Sequence, residues 1–171
     1  WVDVTMLVDD GADTSADYDI VEAWEGNDAA DPSEVYFRVN LAGSGLLPAD
    51  ASLEAQLDCD QDGIFGESVD VSVHYQLITG EGERVLECQG DLSVCNEKPD
   101  ADGEEIAGTP NNYEWKADVS SGVGGEVDWT TCLGNFDVQF ASWNLLAPAS
   151  PQDETSPISP YSVPNSVTLM G

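Results

Sequence analysis

Apolar and polar side chains alternate with a period of two along five segments of the chain. In the clearest of them, Val71, Val73 and Tyr75 alternate with Ser72 and His74. This period is typical of a β-strand that buries one face, because successive side chains of a strand point to opposite sides. The five predicted strands cover residues 35–41, 53–57, 69–77, 113–119 and 136–140. Weaker strand signals lie at 2–8, 18–24, 84–88 and 165–170.

Clusters of glycine, aspartate, serine and proline separate these segments, as expected of turns. They lie at 9–11, 42–45, 79–82, 99–103 and 122–125. No segment carries apolar residues at the 3.6-residue spacing of an amphipathic helix. Eight or nine short strands with frequent turns predict an all-β protein, an antiparallel β-sandwich of the immunoglobulin-like or jelly-roll-like kind.

The C-terminal part of the chain differs in composition from the rest. Residues 148–164 contain five prolines, and proline cannot donate a hydrogen bond to a central strand ladder. We therefore expect a β-sandwich domain at 1–147, followed at 148–171 by an extended proline-rich linker and a terminal β-strand. The residues of that terminal strand are Asn165, Ser166, Val167, Thr168, Leu169 and Met170.

The charge of the chain excludes several partners. Thirty-four acidic residues face four basic ones, which gives a formal net charge of −30. Such a surface repels phosphate backbones and anionic headgroups, so we expect neither nucleic-acid nor membrane binding. No apolar run approaches the roughly 20 residues of a membrane-spanning helix. The acidic residues either form a solubilising, salt-adapted surface or include a metal site.

Four cysteines allow three disulfide pairings. None lies in a CxxC motif, and with a single histidine a zinc site would need mostly cysteine ligands, at spacings that this sequence lacks. Cys88 and Cys95 enclose six residues and are expected to pair across a tight loop, which leaves Cys59 to pair with Cys132. Two disulfides would imply an oxidising compartment. The alternative is two pairs of buried free thiols.

The sharpest chemical motif is the segment 58–67, DCDQDGIFGE. Aspartates at alternate positions before a glycine let the loop curl, so that their oxygens converge on a hard cation such as calcium. The alternative is a solvated turn in a very acidic chain. The expected ligands are Asp58, Asp60, Asp62, the carbonyl of Ile64, and Glu67 or Asp70.

This segment resembles the calcium loop of EF-hand and dockerin-type proteins over about ten residues. The resemblance ends at the twelfth position, where a bidentate glutamate is expected and Val69 stands. The predicted flanking elements are strands rather than helices, so the fold of that family does not carry over.

An enzyme is not expected from the sequence. His74, the single histidine, falls on the polar face of its predicted strand. No GxSxG elbow, P-loop or dinucleotide-binding glycine motif is present. The aromatic residues could form a sugar-binding platform, but Trp24 and Trp115 are expected in the core, whereas Trp129 and Trp143 are left open.

The layout of a sandwich followed by a proline-rich tail and a short β-segment resembles that of secreted bacterial surface and filament subunits joined by a donated strand. The resemblance implies an extracellular, cell-surface structural protein that forms a homopolymer with identical subunits by β-strand addition. The second hypothesis is a calcium-dependent carbohydrate-binding or adhesive module with a glycan partner. A polysaccharide-degrading enzyme is the third.

Overall fold

The computed structural model describes residues 2–8, 14–27, 34–43, 47–98, 103–105, 111–118, 127–132, 135–148 and 150–162. All regular structure within these ranges is β. The strands are β1 (Val2–Val8), β2 (Ile20–Asn27), β3 (Glu34–Leu41), β4 (Ala51–Asp58), β5 (Val71–Ile78), β6 (Gly82–Gln89), β7 (Cys95–Lys98), β8 (Gly103–Glu105), β9 (Asn112–Asp118), β10 (Asn135–Asn144), β11 (Asp153–Glu154) and β12 (Ile158–Ser162).

The strands form two antiparallel sheets that pack face to face. The first sheet has the order β1-β2-β3-β9-β8. The second has the order β11-β10-β4-β5-β6-β7, and β12 pairs with β10 beside β11. The predicted β-sandwich is therefore confirmed, because the alternating segments each bury one face between the two sheets.

The core between the sheets is built around a group of aromatic rings. Trp115 lies 5.9 Å from Phe37 within the first sheet and contacts Tyr75 and Phe140 of the second, at centroid distances of 6.2 Å and 6.3 Å. The indole N–H of Trp115 also donates to the carbonyl of Val73 at 3.3 Å. These contacts fasten the two sheets together at their centre.

A β-bulge in β2 reverses the two faces of that strand. The pairing with β3 shifts by one residue between Ile20 and Glu22, so Ala23 and Glu25 point into the core. Trp24 is half-buried outside the core, where Arg38 lies 4.9 Å from its ring centroid. The expectation that Trp24 is a core residue is therefore wrong, because one extra residue moves all following side chains to the opposite face.

Part of the proline-rich segment 148–164, where an extended linker is expected, forms two short strands. Residues 153–154 and 158–162 pair with β10 of the same chain. The N–H of Gln152 donates to the carbonyl of Ser142 at 2.7 Å, and that of Thr155 donates to Phe140 at 2.8 Å. Proline is compatible with this position because β11 and β12 lie at the edge of the sheet. The predicted terminal strand, 165–170, lies outside the described residues.

Two disulfides join Cys88 to Cys95 and Cys59 to Cys132, the pairing expected from the sequence. Cys88 and Cys95 are opposite each other in the ladder of β6 and β7. The other disulfide connects the end of β4 to the segment 127–132.

Within the described residues, no helix has the length and apolar character needed to cross a membrane.

Candidate metal site

The acidic loop, residues 58–70, connects β4 to β5 at one end of the second sheet. Leu57 pairs with Val71 in the ladder between these strands. Asp58 and Asp70 are therefore held at the two ends of the loop, on the face of the sheet that points away from the core. Both are buried, with exposed fractions of 0% and 1%. The strands fix these two carboxylates, and residues 60–69 between them form a turn that is exposed except at the half-buried Phe65.

Five of the six expected ligands form two groups with oxygen atoms at metal-binding distances. In the first group, one oxygen each of Asp58, Asp60 and Asp70 lies within 4.8 Å of the others. The second group has the same spacing and consists of Asp60, Asp62 and Glu67. Since Asp60 belongs to both groups, its carboxylate lies between a buried and an exposed part of the cluster.

Backbone hydrogen bonds order the loop around these carboxylates. Asp58 accepts from the N–H groups of Asp62 and Gly63, at 3.3 Å and 2.8 Å. Asp70 accepts from Cys59 and Glu67, both at 3.0 Å. Each buried carboxylate thus has partners for part of its hydrogen-bonding capacity. The remaining oxygen lone pairs can serve a cation.

Two carboxyl groups of the cluster have raised pKa values. Repulsion between carboxylates is the main cause for Glu67, and burial is the main cause for Asp70. Asp62 is the main cause of the raised pKa of Glu67, and burial adds to it. Burial raises the pKa of Asp70 against the opposing effect of its two backbone hydrogen bonds. The described ion pairs involve none of the loop acids. A divalent cation would relieve this concentration of like charge.

Glycines allow the loop to fold back tightly. Gly63 and Gly66 have φ angles of 85° and 86°, in the left-handed region that favours glycine. Gly90, at the end of β6, packs against the loop: a Cβ atom there would lie 2.6 Å from the carbonyl oxygen of Glu67 and 2.7 Å from the Cβ of Asp70. No local sequence pattern predicts this contact, because Gly90 follows the loop by twenty residues and only the sheet brings them together.

Ile64 lies in the same turn, and its side chain is 55% exposed. Its N–H donates to Asp62 at 2.8 Å, and the role of its carbonyl as a ligand stays a prediction. Val69, at the twelfth position of the loop, is exposed and carries no oxygen on its side chain. Both candidates for the missing glutamate lie in the cluster, Asp70 with Asp58 and Asp60 on the buried side and Glu67 with Asp60 and Asp62 on the exposed side.

His74 does not form a catalytic triad with its neighbours. Its Nε2 atom lies 2.9 Å from the hydroxyl of Ser72 and 3.5 Å from Oε1 of Glu54. A triad uses both ring nitrogens, one toward the nucleophile and the other toward the acid. Here the hydroxyl and the carboxylate share one nitrogen. Burial lowers the pKa of His74, and Glu54 opposes that effect.

The remaining tryptophans divide between the core and the surface. Trp115 and Trp129 are fully buried, with exposed fractions of 1% and 0%. The N–H of Trp129 lies 3.4 Å from Glu87, whose carboxylate also binds Lys98 at 2.8 Å. Trp143 is half-buried on the outer face of β10. Of Trp129 and Trp143, therefore, only Trp143 can offer its indole to a ligand.

No protein family, curated protein or solved structure matches the chain.

Proposed function

We propose that this chain is a non-enzymatic structural subunit of an extracellular filament. Identical subunits join by β-strand addition, and calcium and the two disulfides stabilise each of them. A head-to-tail contact of this kind does not close on itself and therefore produces a fibre. The backbone hydrogen bonds of an added strand do not depend on side-chain charge, so they can join subunits that repel each other.

The unpaired edge of β1 is the observation that carries this proposal. β1 spans seven residues, five of them apolar, and forms the outer strand of the first sheet. No strand within the described ranges pairs with its second edge. A long apolar edge strand presents a row of backbone donors and acceptors to another chain. Its seven residues are enough to pair with all six residues of the segment 165–170.

The other sheet edges suit strand addition less well. β8 at the opposite edge of the first sheet has three residues. β7 has four, with charged residues and a disulfide at its start. The remaining edge is covered by β11 and by β12, which contains a proline. Short, charged or proline-containing edges are the usual protection against edge-to-edge association.

The segment 165–170 is the preferred donor. β1 already pairs with β2, and 158–162 already pairs with β10, so donation of either would require opening a sheet. The six residues beyond the proline-rich part include the β-branched Val167 and Thr168. They follow β12 closely in sequence, so donating them would leave β12 paired with β10.

The extracellular location is supported by the two disulfides, because such bonds persist in oxidising compartments. Calcium is supported by the hard oxygen ligands of the acidic loop. Extracellular calcium modules bind with dissociation constants of about 0.1–1 mM, so a loop of this kind would be occupied outside a cell. A bound divalent cation would also offset part of the net charge of −30.

Assembly is tested by electron microscopy and analytical ultracentrifugation of the purified chain in millimolar calcium. We expect fibres from the chain itself and folded monomers from the double variant Val167→Pro/Leu169→Pro, because proline removes the donors that strand addition needs. The matched control Val167→Thr/Leu169→Ile keeps those donors and should polymerise. Polymerisation of the proline variant, or no polymer from the unaltered chain, would refute donation of this strand.

A further inference from the structure

A groove lies on the outer face of the second sheet, apart from the acidic loop. Its volume is about 470 Å³, within the range of small-molecule sites. We name it the outer groove and define it by six of its lining side chains. These are Ser52, Glu54, Gln56, His74, Gln76 and Trp143.

The floor of the outer groove is a ladder of polar pairs across β4 and β5. Ser52 is opposite Gln76, and Glu54 is opposite His74. On the neighbouring strand, Trp143 is opposite Ser52. Strand pairing therefore fixes these side chains on one face. The hairpin closed by the Cys88–Cys95 disulfide contributes apolar atoms to one wall.

The groove carries little charge in a chain of high net charge. Glu54 is the single carboxylate of its lining. One of its oxygens accepts from the indole N–H of Trp143 at 2.5 Å, and the other lies 3.5 Å from Nε2 of His74. Burial lowers the pKa of His74 against the opposing effect of Glu54, which favours the neutral imidazole. The lining thus offers amides, a hydroxyl and an imidazole rather than a set of charges.

A buried hydroxyl in this groove has no partner. Ser52 is 1% exposed, and its Oγ makes no hydrogen bond within the described part of the chain. A buried polar atom without a partner destabilises the folded state, because its hydrogen bonds to water are lost and not replaced. Ser52 lines the groove, but its hydroxyl is closed off from solvent. A ligand that displaces the side chains around it could hydrogen-bond this hydroxyl and recover part of that free energy.

We propose that the outer groove binds a short neutral saccharide. A sugar ring has an apolar face that can lie against the indole of Trp143 and hydroxyl groups that both donate and accept. Gln56 offers both a donor and an acceptor, and Gln76 offers its amide N–H groups, since its Oε1 already accepts from Arg84 at 2.9 Å. The unpaired hydroxyl of Ser52 lies beneath them. Anionic ligands are disfavoured by Glu54 and by the net charge of the whole chain. The proposal needs neither bound calcium nor assembly into a fibre.

Binding is tested by calorimetry with the Val167→Pro/Leu169→Pro chain, so that polymerisation does not interfere. The probes are neutral trisaccharides of glucose, mannose, galactose, xylose and N-acetylglucosamine. We expect at least one to bind, with a loss of affinity of about tenfold or more in Trp143→Ala. Ser52→Ala, which leaves the indole in place, should lose about threefold or more.

Trp24→Ala is the matched control, since Trp24 is a half-buried indole on the other sheet. It should bind like the parent chain. The proposal is overturned if none of the saccharides binds, or if binding survives in both Trp143→Ala and Ser52→Ala. Binding of tetramethylammonium that depends on Trp143, without saccharide binding, would instead identify the groove as a cation site and likewise overturn it.

Discussion

Asp58 and Asp70 lie together at the two ends of the acidic loop, with ligand oxygens within 4.8 Å, and both are almost completely buried. Each accepts two backbone hydrogen bonds from the loop between them. Burial of two carboxylates at this distance is unfavourable without a cation. A cation bound at this pair would therefore stabilise the ordered loop.

Removal of calcium should lower the melting temperature, because a ligand that binds the folded state alone stabilises it by mass action. Asp60→Asn should abolish this response, since Asp60 belongs to both groups of carboxylates. The measurement is differential scanning calorimetry with calcium and with a chelator. Asp128→Asn is the control, because Asp128 is exposed and caps a separate turn. Identical melting curves with and without chelator would rule out the site.

Glu25 should make the stability fall as the pH rises. Its carboxylate has no hydrogen-bond partner within the described residues, and burial raises its pKa from 4.5 to about 8. Between pH 4.5 and about pH 8, Glu25 is therefore deprotonated in the unfolded chain and protonated in the folded chain. The free energy of unfolding therefore decreases by about 1.4 kcal/mol per pH unit in this window, and the loss is complete above it.

Glu25→Gln should remove this slope, because glutamine stays neutral. Urea unfolding at pH 5, 6, 7 and 8 measures the difference between variant and parent, which should grow with pH. Glu83→Gln, at an exposed position of β6, is the control for the general loss of one negative charge. A constant difference across the pH range would contradict the assignment.

Gly90→Ala should destabilise the fold by about 1–3 kcal/mol, because the added methyl group collides with the acidic loop at Glu67 and Asp70. Gly63→Ala should cost about 1–2 kcal/mol for a different reason: the site is open, but its φ angle is positive. Urea unfolding gives both values. The Gly90 variant should also bind calcium more weakly, and unchanged stability would contradict the close packing.

Truncation after residue 147 should destabilise the sandwich, whereas truncation after residue 162 should not. The shorter chain loses the hydrogen bonds that Gln152 and Thr155 make with β10. It also loses the carboxylate of Asp153, which accepts from the N–H of Ile20 at 2.6 Å. At about 1 kcal/mol for each bond, we expect a loss of about 3–4 kcal/mol. Equal melting temperatures for the two truncated chains would instead support the extended linker that the sequence predicts.

The sequence by itself determined the sandwich, because alternation along a strand directly encodes which face is buried. It also determined the disulfide pairing and the position of the acidic loop, since these follow from spacing along the chain. Tertiary structure alone decided the rest. The bulge after Ile20 reverses the faces on which the side chains of Trp24 and Glu25 lie. Pairing of the strands within the sheet brings Gly90 close to Asp70 and places Trp143 opposite Ser52. These contacts depend on which residues of distant strands lie opposite each other. The pattern of side chains along one strand does not predict that register.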